Sequence, residues 1–470
     1  MGDGMPHPAF RPQARSQSGA FDLPSILIGV AVVAILAVGV MAAVFGVIPW
    51  AQDRAAQQDL AAVSTAQGTA YAHGGSFAGK DALVSAGWLG QGTPAALDTK
   101  TDADGKCYVA VTKSRAGTRY IVSSDKPDPR PAAPGDRWCS GAPVTPDTEP
   151  VMISTWDTGF IGSCKEITLP VTGFKGTVSW GDGTSDSKLT HTYAKTGKAT
   201  IRIDGTFTAW GGETWSDAAC IVSVDRWGAT ETTDLSYMFN NAVQLKHVES
   251  VPPTAATLAY GFYNVSSGFT LGYLDTANVT DMKYLFGRAY AFNQPVTFDT
   301  SRVTDMSWMF SDARAFNQPL DLDTSRVTNM YGMFYGASSF NQRLTFDTSG
   351  VTEMGTMFYN AVSFNQPVEF DTSKVTRMYA MFYLATSFNQ PVAFDTAKVT
   401  NMNAMFREAT SFNQPLRLNT SQVTTVQDMF FGAGSFLQDL SAWDVRKVEL
   451  RGNFASDSYP AALLPKFRAS

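Results

Sequence analysis

A repeat of 24 residues fills most of the C-terminal half of the chain and constrains its fold more than any other feature. Its clearest copy, residues 387–410, reads SFNQPVAFDTAKVTNMNAMFREAT. A fixed period of this length predicts a solenoid, because each coil can bury its apolar face only by stacking on its neighbours. The phenylalanine that opens the Phe-Asn-Gln phrase recurs without slippage at Phe292, Phe316, Phe340, Phe364, Phe388 and Phe412.

Each copy divides into two halves with different periodicities. Residues 294–299 place Val296 and Phe298 on one side of an alternating run, which predicts a strand, and stacked copies would form a parallel β-sheet. Residues 303–310 place apolar side chains at roughly helical spacing, which predicts a turn of helix on the other side. Counting the Met-Phe pair from Phe239 to Phe430 gives nine coils, of which the first two are imperfect.

The positions that vary within this frame are candidates for ligand binding. One slot follows the Met-Phe pair and should face outward, and a second slot also carries tyrosines. A ridge of such rings suits a protein or carbohydrate surface, because tyrosine offers contact area and a hydroxyl at a small entropy cost. The alternative is that the rings pack only against each other between coils. The candidates are Tyr335, Tyr359, Tyr383 and Phe431 in the first slot and Tyr331 and Tyr379 in the second.

Two polar columns accompany the core. The Asn of each Phe-Asn-Gln phrase is expected to hydrogen-bond the backbone of the neighbouring coil. An aspartate column is expected to cap the N–H groups of the following turn, although cation binding by stacked carboxylates is the alternative. Asn419 occupies the same slot, keeps the cap and loses the charge. The aspartates are Asp299, Asp323, Asp347, Asp371 and Asp395.

Composition excludes several classes of function. The net charge of -6 argues against nucleic-acid binding, which requires a basic patch. The four histidines do not lie at metal-ligand spacing, so we predict neither a metal nor a cofactor. The even number of cysteines predicts two disulfides outside the cytoplasm, and their pairing stays open. These cysteines are Cys107, Cys139, Cys164 and Cys220.

The N-terminal region combines a short polar leader with a long apolar run. Residues 26–50 contain no charged side chain and are long enough to span a membrane as a helix. The small residues before Phe21 and the apolar run after it resemble type IV pilins and pseudopilins. That resemblance implies cleavage between Ala20 and Phe21 and assembly with other pilin subunits. Ser25 stands where the family commonly has Glu, and the alternative is a single-span membrane anchor.

The middle of the chain carries two short phrases, VSWGDGT at residues 178–184 and HTY at residues 191–193. Asp-Gly between two alternating runs predicts a hairpin, because glycine accepts the positive φ of a tight turn. The phrases resemble a PKD-type, immunoglobulin-like β-sandwich. Asp182 and His191 are explained as turn and hydrogen-bonding residues of that fold rather than as catalytic groups.

The phrases FNQP, DTS-x-VT-x-M and MF-x-x-A-x-SF resemble BspA-like leucine-rich-repeat-type surface proteins of bacteria. This resemblance implies adhesion at the cell surface or on a pilus through a protein or glycan ligand. The alternatives are a structural filament subunit without a specific ligand and a plain membrane-anchored surface protein. We expect no enzymatic activity, because carboxylates repeated at every coil do not make a single catalytic pair.

The predicted fold is multidomain, with an N-terminal hydrophobic α-helix, a small α+β head, a β-sandwich and a solenoid with a parallel β-sheet. The predicted boundaries are 1–20 for the leader, 21–143 for the pilin-like helix and head, 144–150 for a linker, 151–225 for the sandwich, 226–455 for the repeats and 456–470 for a tail.

Overall fold

The structure of the chain is a computed structural model. It describes residues 49–89, 97–102, 104–113, 119–127, 129–132, 139, 150–265, 268–272 and 274–468. The predicted leader, the cleavage site at Ala20 and Phe21 and nearly all of the apolar run at 26–50 lie outside the described residues. In the part of the chain that is described, no helix has both the length and the apolar character needed to cross a membrane.

The N-terminal head packs two helices on a small antiparallel sheet. Leu60 and Val63 of the first helix are fully buried, because residues three or four apart share one face of a helix. They pack in one cluster with Tyr108 and Tyr120 of the sheet. The helices are α1 (Pro49–Gly74) and α2 (Lys80–Ser85). The strands pair in chain order as β1 (Asp98–Thr101), β2 (Tyr108–Lys113), β3 (Arg119–Ser123) and β4 (Arg130–Pro131).

The middle of the chain is built on one seven-stranded sheet that continues into the repeats. Its central strands are antiparallel, whereas the two strands contributed by the first repeats pair parallel to the preceding strand. The strand order is β15 (Thr270–Leu271), β14 (His247–Val248), β13 (Ile221–Arg226), β5 (Val151–Asp157), β11 (Lys198–Thr206), β8 (Lys175–Ser179) and β9 (Ser185–Asp186). The alternation of β11, with Ile201 and Ile203 buried and Thr200 and Arg202 exposed, is typical of a strand with one face on the core.

Two short strand pairs complete the middle of the chain. They are β6 (Glu166–Thr168) with β10 (Thr190–Thr192), and β7 (Val171–Thr172) with β12 (Ala209–Trp210). Short 3-10 helices cover Gly162–Lys165 and Ser216–Cys220, and another lies at Ala461–Leu463 near the end of the chain. One hydrophobic core runs without a break from Met152 to Tyr459, so the sheet of the middle region and the repeats share their core.

The repeats stack as coils that are joined by single parallel bridges. A column of bridges starts at Ala209 and passes through one residue of every coil to Leu450. The members between them are Asp234, Thr257, Asp281, Asp305, Asn329, Glu353, Arg377, Asn401 and Thr425. The predicted fold class is therefore wrong. The described chain is mostly sheet and turn with two α-helices, it shows no long apolar helix, and its coils form no closed solenoid with a continuous parallel sheet.

The predicted turn of helix at residues 303–310 is a series of tight turns. The N–H groups of Trp308 and Phe310 donate to carbonyls of the next coil, at 2.8 and 2.9 Å. The N–H of Ser311 instead donates to the carbonyl of Trp308 within the coil, at 3.0 Å. Because alternate N–H groups leave the coil, an i→i−4 ladder cannot form. Trp308 and Asp312 adopt left-handed φ angles of 58° and 54°, which also interrupt a helix.

The predicted strand at residues 294–299 is buried as expected, but it does not form the expected ladder of backbone hydrogen bonds with the neighbouring coils. Val296 is buried, yet beyond the parallel pairing of His247–Val248 and Thr270–Leu271 in the first coils, the equivalent positions described show a single bridge, from Val368 to Val392. Proline at Pro295 and its equivalents removes one N–H from the segment in most coils. Side chains supply the contacts between coils here, since the Asn317 N–H donates to an amide side chain of the preceding coil rather than to a carbonyl of its backbone.

Two columns of stacked phenylalanine rings fill the coils. The rings of the Met-Phe column lie 5.5 to 5.7 Å from the equivalent ring of the next coil between Phe286 and Phe430. Each also lies 4.0 to 4.2 Å from the phenylalanine of the Phe-Asn-Gln phrase in its own coil. The rings are buried, so the 24-residue period is the period of the core.

The end of the stack is covered by the last residues of the chain. A further coil, with Phe454 beneath Phe430, receives the final hydrogen bonds of the stack. Phe467 packs against Phe454 with a centroid distance of 5.2 Å, and Tyr459 stacks on Phe436 at 5.9 Å. The described part of the tail therefore shields the apolar face that the last coil would otherwise expose.

The head is fixed to the start of the stack by a buried carboxylate. Glu249 is 1 % exposed, and its Oε1 accepts hydrogen bonds from Gln57 of α1 and the hydroxyl of Tyr120. The Nε2 atom of His247 lies 2.8 Å from Oε2. Because three groups converge on one carboxylate, this contact fixes the position of α1 and β3 relative to the repeats.

Candidate functional site: an aromatic ridge along the coils

One face of the stacked coils carries a nearly continuous row of rings, which we call the aromatic ridge. Its rings are half-buried, apart from the exposed ring of Phe431, and the row runs through nine coils. Successive centroids from the first ring to Tyr383 lie 4.4 to 5.4 Å apart. The ridge consists of Tyr237, Tyr260, Tyr284, Trp308, Tyr335, Tyr359, Tyr383, Arg407 and Phe431.

The first four rings of the ridge were missed by the sequence prediction. They occupy the slot just before the Met-Phe pair, where the backbone is left-handed, with φ between 53° and 60°. In the later coils this slot holds Gly332, Thr356 and Ala380, so it does not look aromatic across the whole array. A row of Tyr, Tyr, Tyr and Trp at about one repeat spacing was the available signal.

The ridge changes slot at Trp308. The indole lies over Gly332, where an added Cβ would stand 2.6 Å from the indole ring. Gly332 also has a φ of 60°, so a side chain at this position would be both strained and crowded. The indole contacts the rings of Tyr331 and Tyr335, at centroid distances of 4.9 and 5.3 Å. Gly332 thus allows the row to pass from one slot to the other.

Tyr331 and Tyr379 form a bridge beside the ridge. They lie two coils apart, their hydroxyls are hydrogen-bonded, and their ring centroids are 5.7 Å apart. Gly355 occupies the intervening coil, and a Cβ there would lie 2.9 Å from each ring. Burial and the hydrogen bond to Tyr331 raise the pKa of the Tyr379 hydroxyl. The pair therefore braces three coils, and its hydroxyls partly satisfy each other.

Near the C-terminal end of the ridge, an arginine side chain lies between two aromatic rings. The Arg407 guanidinium lies 5.4 Å from the centroid of Tyr383 and 5.1 Å from that of Phe431. Its Nη1 atom is 3.4 Å from the Asp428 carboxylate. The Phe431 side chain, 38 % exposed, is the most open ring of the row.

Burial raises the pKa of four hydroxyls of the ridge. Burial raises the pKa of both Tyr284 and Tyr359 to about 12. Burial also raises the pKa values of Tyr237 and Tyr260. These four hydroxyls are therefore uncharged at physiological pH, and that of Tyr359 is hydrogen-bonded with its neighbours Tyr335 and Tyr383.

The asparagine column lies on another part of the coil and is structural. Asn293 Oδ1 accepts from the Asn317 N–H at 2.9 Å and from Gln318 Nε2 at 3.1 Å. The same contact repeats from coil to coil up to Leu437. The column thus provides hydrogen bonds between coils, as predicted for these side chains.

The aspartate column forms side-chain caps. Asp323 Oδ1 accepts from the Ser325 N–H at 3.0 Å and from its hydroxyl. Hydrogen bonds from the following serine lower the pKa values of Asp323, Asp347 and Asp371. Asn419 makes the same contacts to Ser421 without a charge. In the described residues, no three acidic, His or Cys side chains are grouped so that they could hold a metal ion.

These caps predict a defined acid sensitivity. A carboxylate whose pKa is lowered by folding stabilises the protein above its unfolded pKa, and that contribution is lost as the pH falls through the folded pKa. Replacing Asp323, Asp347 and Asp371 together by Asn is expected to keep the caps and reduce the fall in stability below about pH 4. Urea midpoints measured from pH 2 to pH 5 test this. An equal fall in the variant and the unaltered protein would contradict it.

Asp182 and His191 lie together, but both are used within the fold. His191 Nε2 is 2.8 Å from the Asp182 carboxylate, and its ring stacks on Trp180 at 5.0 Å. Hydrogen bonds from Thr184 and His191 lower the pKa of Asp182 to about 2. The pair connects the Asp-Gly turn to β10, so its geometry is that of a turn brace.

Comparisons with known proteins identify the repeats alone. Three overlapping stretches, residues 256–369, 320–393 and 367–458, match the family described as "Mycoplasma protein of unknown function, DUF285". This repeat family agrees with the predicted resemblance to bacterial surface repeats over those residues. The match does not reach residues 1–255, so the pilin-like and PKD-type resemblances gain no support from it. No curated protein and no solved structure matches the chain significantly.

Both predicted disulfides are present, and they indicate that the chain lies outside a reducing compartment. Cys107 pairs with Cys139, and Cys164 pairs with Cys220, so both bridges join neighbouring cysteines in the sequence. Disulfides persist in oxidising environments. The two bridges therefore indicate an extracellular protein.

Proposed function

We propose that the chain is a bacterial surface protein of adhesion or interaction that binds a partner along the aromatic ridge. The observation that carries this proposal is a row of eight rings and the Arg407 guanidinium that runs along nine coils and is half-buried except at Phe431. At about 4.8 Å per coil, the row is about 38 Å long. This length is sufficient for a specific contact with a macromolecule.

The chemistry of the row supports a binding role. Tyrosine and tryptophan are enriched at the energetic centres of interfaces, because they bury a large rigid area and retain a polar group. The coil core does not need these rings, since the two phenylalanine columns already fill it. In the proposed role the stack acts as a rigid support, and no catalytic step is required.

Removing the rings at the centre of the ridge tests the proposal. Replacing Tyr335, Tyr359 and Tyr383 together by Ala is expected to weaken binding to a surface ligand at least tenfold, because interface tyrosines commonly contribute more than 1 kcal/mol each. Binding of the full chain to arrays of extracellular proteins and glycans would be measured.

A matched control is available in tyrosines outside the ridge. Tyr71 and Tyr290 are 48 % and 41 % exposed, so their replacement by Ala removes similar side chains from other surfaces. Binding should survive in that double variant, and far-ultraviolet circular dichroism should show that both variants are folded. Equal binding by the ridge variant and the control variant would rule out the ridge as the site.

A further inference from the structure

We propose that the C-terminal end of the stack is a second interaction surface, which binds an acidic polypeptide segment through backbone N–H groups that the fold leaves unpaired. This surface contains none of the rings of the aromatic ridge, so the inference goes beyond the proposed function. It follows from the hydrogen bonds between coils, from one side chain of the final coil and from the charge of residues 444–470.

Each coil donates backbone N–H groups to carbonyls of the coil that follows it. The N–H groups of Val426, Asp428 and Phe430 donate in this way to the final coil, at 2.9, 2.8 and 2.7 Å. The equivalent groups of the final coil meet no acceptor in the part of the chain that the structure describes, because the tail packs on the phenylalanine columns and accepts none of these hydrogen bonds. They are the N–H groups of Arg451, Asn453 and Ala455.

A fourth N–H group of the final coil is unpaired because of a change of side chain. Two coils earlier, Asn401 Oδ1 accepts from the Asn403 N–H at 2.9 Å, and the same contact occurs in four preceding coils. Leu450 occupies this slot in the final coil and offers no side-chain acceptor, so the Gly452 N–H has no partner among the described residues. All nine residues of the bridge column between Ala209 and Leu450 are polar, whereas Leu450 is apolar and 57 % exposed.

The unpaired groups are adjacent and accessible. Gly452 and Asn453 are exposed, whereas Asp428, which is equivalent to Asn453 in the preceding coil, is 8 % exposed. Asn453 has a left-handed φ of 52°, and successive N–H groups around such a residue form a concavity that binds anions. A carboxylate suits this concavity, because its two oxygens can accept charge-assisted hydrogen bonds from neighbouring N–H groups. The carbonyls of the same peptide can pair with the remaining donors of the edge.

The polarity of this edge argues against a second copy of the chain as the occupant. The edge presents the unpaired donors and one acceptor, the Glu449 carbonyl, which takes the place of the Thr424 carbonyl in the preceding coil. Two C-terminal ends brought face to face would therefore oppose donors mainly to donors. The first coil is already paired, since the Trp210 N–H donates to the Asp234 carbonyl at 3.0 Å, so addition head to tail is blocked.

The charge at this end of the stack has the sign that an acidic partner requires. The chain has a net charge of -6, whereas residues 444–470 carry five basic and three acidic side chains. Arg446 is paired with Asp444 at 2.6 Å. Arg451 lies 5.1 Å from the centroid of Phe467 and forms no ion pair within the described residues. Its guanidinium and its N–H therefore both belong to the edge and can attract the same acidic segment.

Binding of three peptides to the full chain tests the inference. The probes are fluorescent 12-residue peptides with blocked ends, in which Ala alternates with Asp, Asn or Lys, and binding is followed by fluorescence anisotropy at low ionic strength. The Asp peptide should bind at least tenfold more tightly than either of the others. Arg451→Glu should weaken its binding at least fivefold. Arg326→Glu is the matched control, because it reverses an exposed charge in the middle of the stack, and it should leave binding unchanged.

Leu450→Asn tests the backbone groups without changing the charge. The new amide oxygen is expected to accept from the Gly452 N–H, as Asn401 does from Asn403, and so to occupy the edge from within the chain. Binding of the Asp peptide should then weaken at least threefold, while the urea midpoint should not fall. Leu450→Ala removes the same side chain without adding an acceptor, and it should bind the Asp peptide as the unaltered protein does.

The other possible occupants of this edge are outcomes of the same experiments. Binding of anionic lipid vesicles without binding of the Asp peptide would overturn the inference, as would self-association of the chain that Arg451→Glu abolishes. Equal binding of the Asp and Asn peptides, or unchanged binding in Leu450→Asn, would also contradict it. The variant that lacks the ridge rings of Tyr335, Tyr359 and Tyr383 should still bind the Asp peptide, so failure of the proposed function and failure of this inference are distinguishable.

Discussion

Replacing Phe358 by Ala is expected to lower the free energy of unfolding by about 4 kcal/mol, because a large ring would be deleted from a packed core. Phe358 is fully buried in the middle of the stack. Its ring lies 4.0 Å from Phe364 in the same coil and 5.7 and 5.5 Å from Phe334 and Phe382 in the adjacent coils. The substitution therefore removes contacts within one coil and across two interfaces.

Chemical denaturation and hydrogen exchange of the central coils measure this effect. In a repeat protein, stability depends on the interfaces between neighbours, so protection should fall first in the coils beside position 358. Phe431→Ala is the matched control, because the same side chain is removed from a site that is 38 % exposed. That control is expected to cost about 1 kcal/mol or less. Similar losses for the two variants would show that the phenylalanine column does not hold the coils together.

The sequence predicted the period and the core more accurately than the local backbone. A spacing of 24 residues, with Met-Phe in every copy, required an apolar side that stacks from coil to coil, and Met333 and Phe334 are fully buried. The asparagine column followed from the same reasoning, since a polar side chain repeated at one position must find its partner in the next copy. Both conclusions depend on which side chains recur and not on φ and ψ.

The backbone conformation was predicted incorrectly because two different structures share one apolar spacing. Apolar residues at Val303, Met306, Met309 and Phe310 fit one face of a helix. They fit a chain of tight turns equally well, since each turn also brings residues three apart to the same side. Left-handed residues such as Trp308 decide between the two, and neither tryptophan nor tyrosine is a usual signal for that conformation.

Contacts between residues that lie far apart in the sequence also could not be predicted. Trp308 covers Gly332 only because the coils are in register, and the predicted binding residues did not include this tryptophan. The buried Glu249 contacts Gln57 and Tyr120, which lie 192 and 129 residues away in the sequence. No local pattern marks such a glutamate. The predicted domain boundaries remain predictions, and so do the ligand-binding residues, which the ridge variants test.

Glu249→Ala is expected to lower the free energy of unfolding by about 3 kcal/mol, because it removes a buried carboxylate that pairs with one buried and two half-buried polar partners. These partners are Gln57, Tyr120 and His247. The first two belong to the head and the third to the start of the stack. The loss of stability should therefore be concentrated at the contact between the head and the stack. Hydrogen exchange in α1 is therefore expected to rise more than exchange in the central coils.

Glu369→Ala is the control that separates the effect of burial from the effect of losing a carboxylate. The Glu369 side chain is 71 % exposed and lies 3.1 Å from Arg343, so it also pairs with a neighbour but in water. Exposed ion pairs commonly contribute about 0 to 1 kcal/mol, because solvent screens the charges. Denaturant titrations of the two variants should therefore differ by about 2 kcal/mol or more. If Glu249→Ala were as mild as Glu369→Ala and α1 kept its protection, the buried carboxylate would not be what holds the head against the repeats.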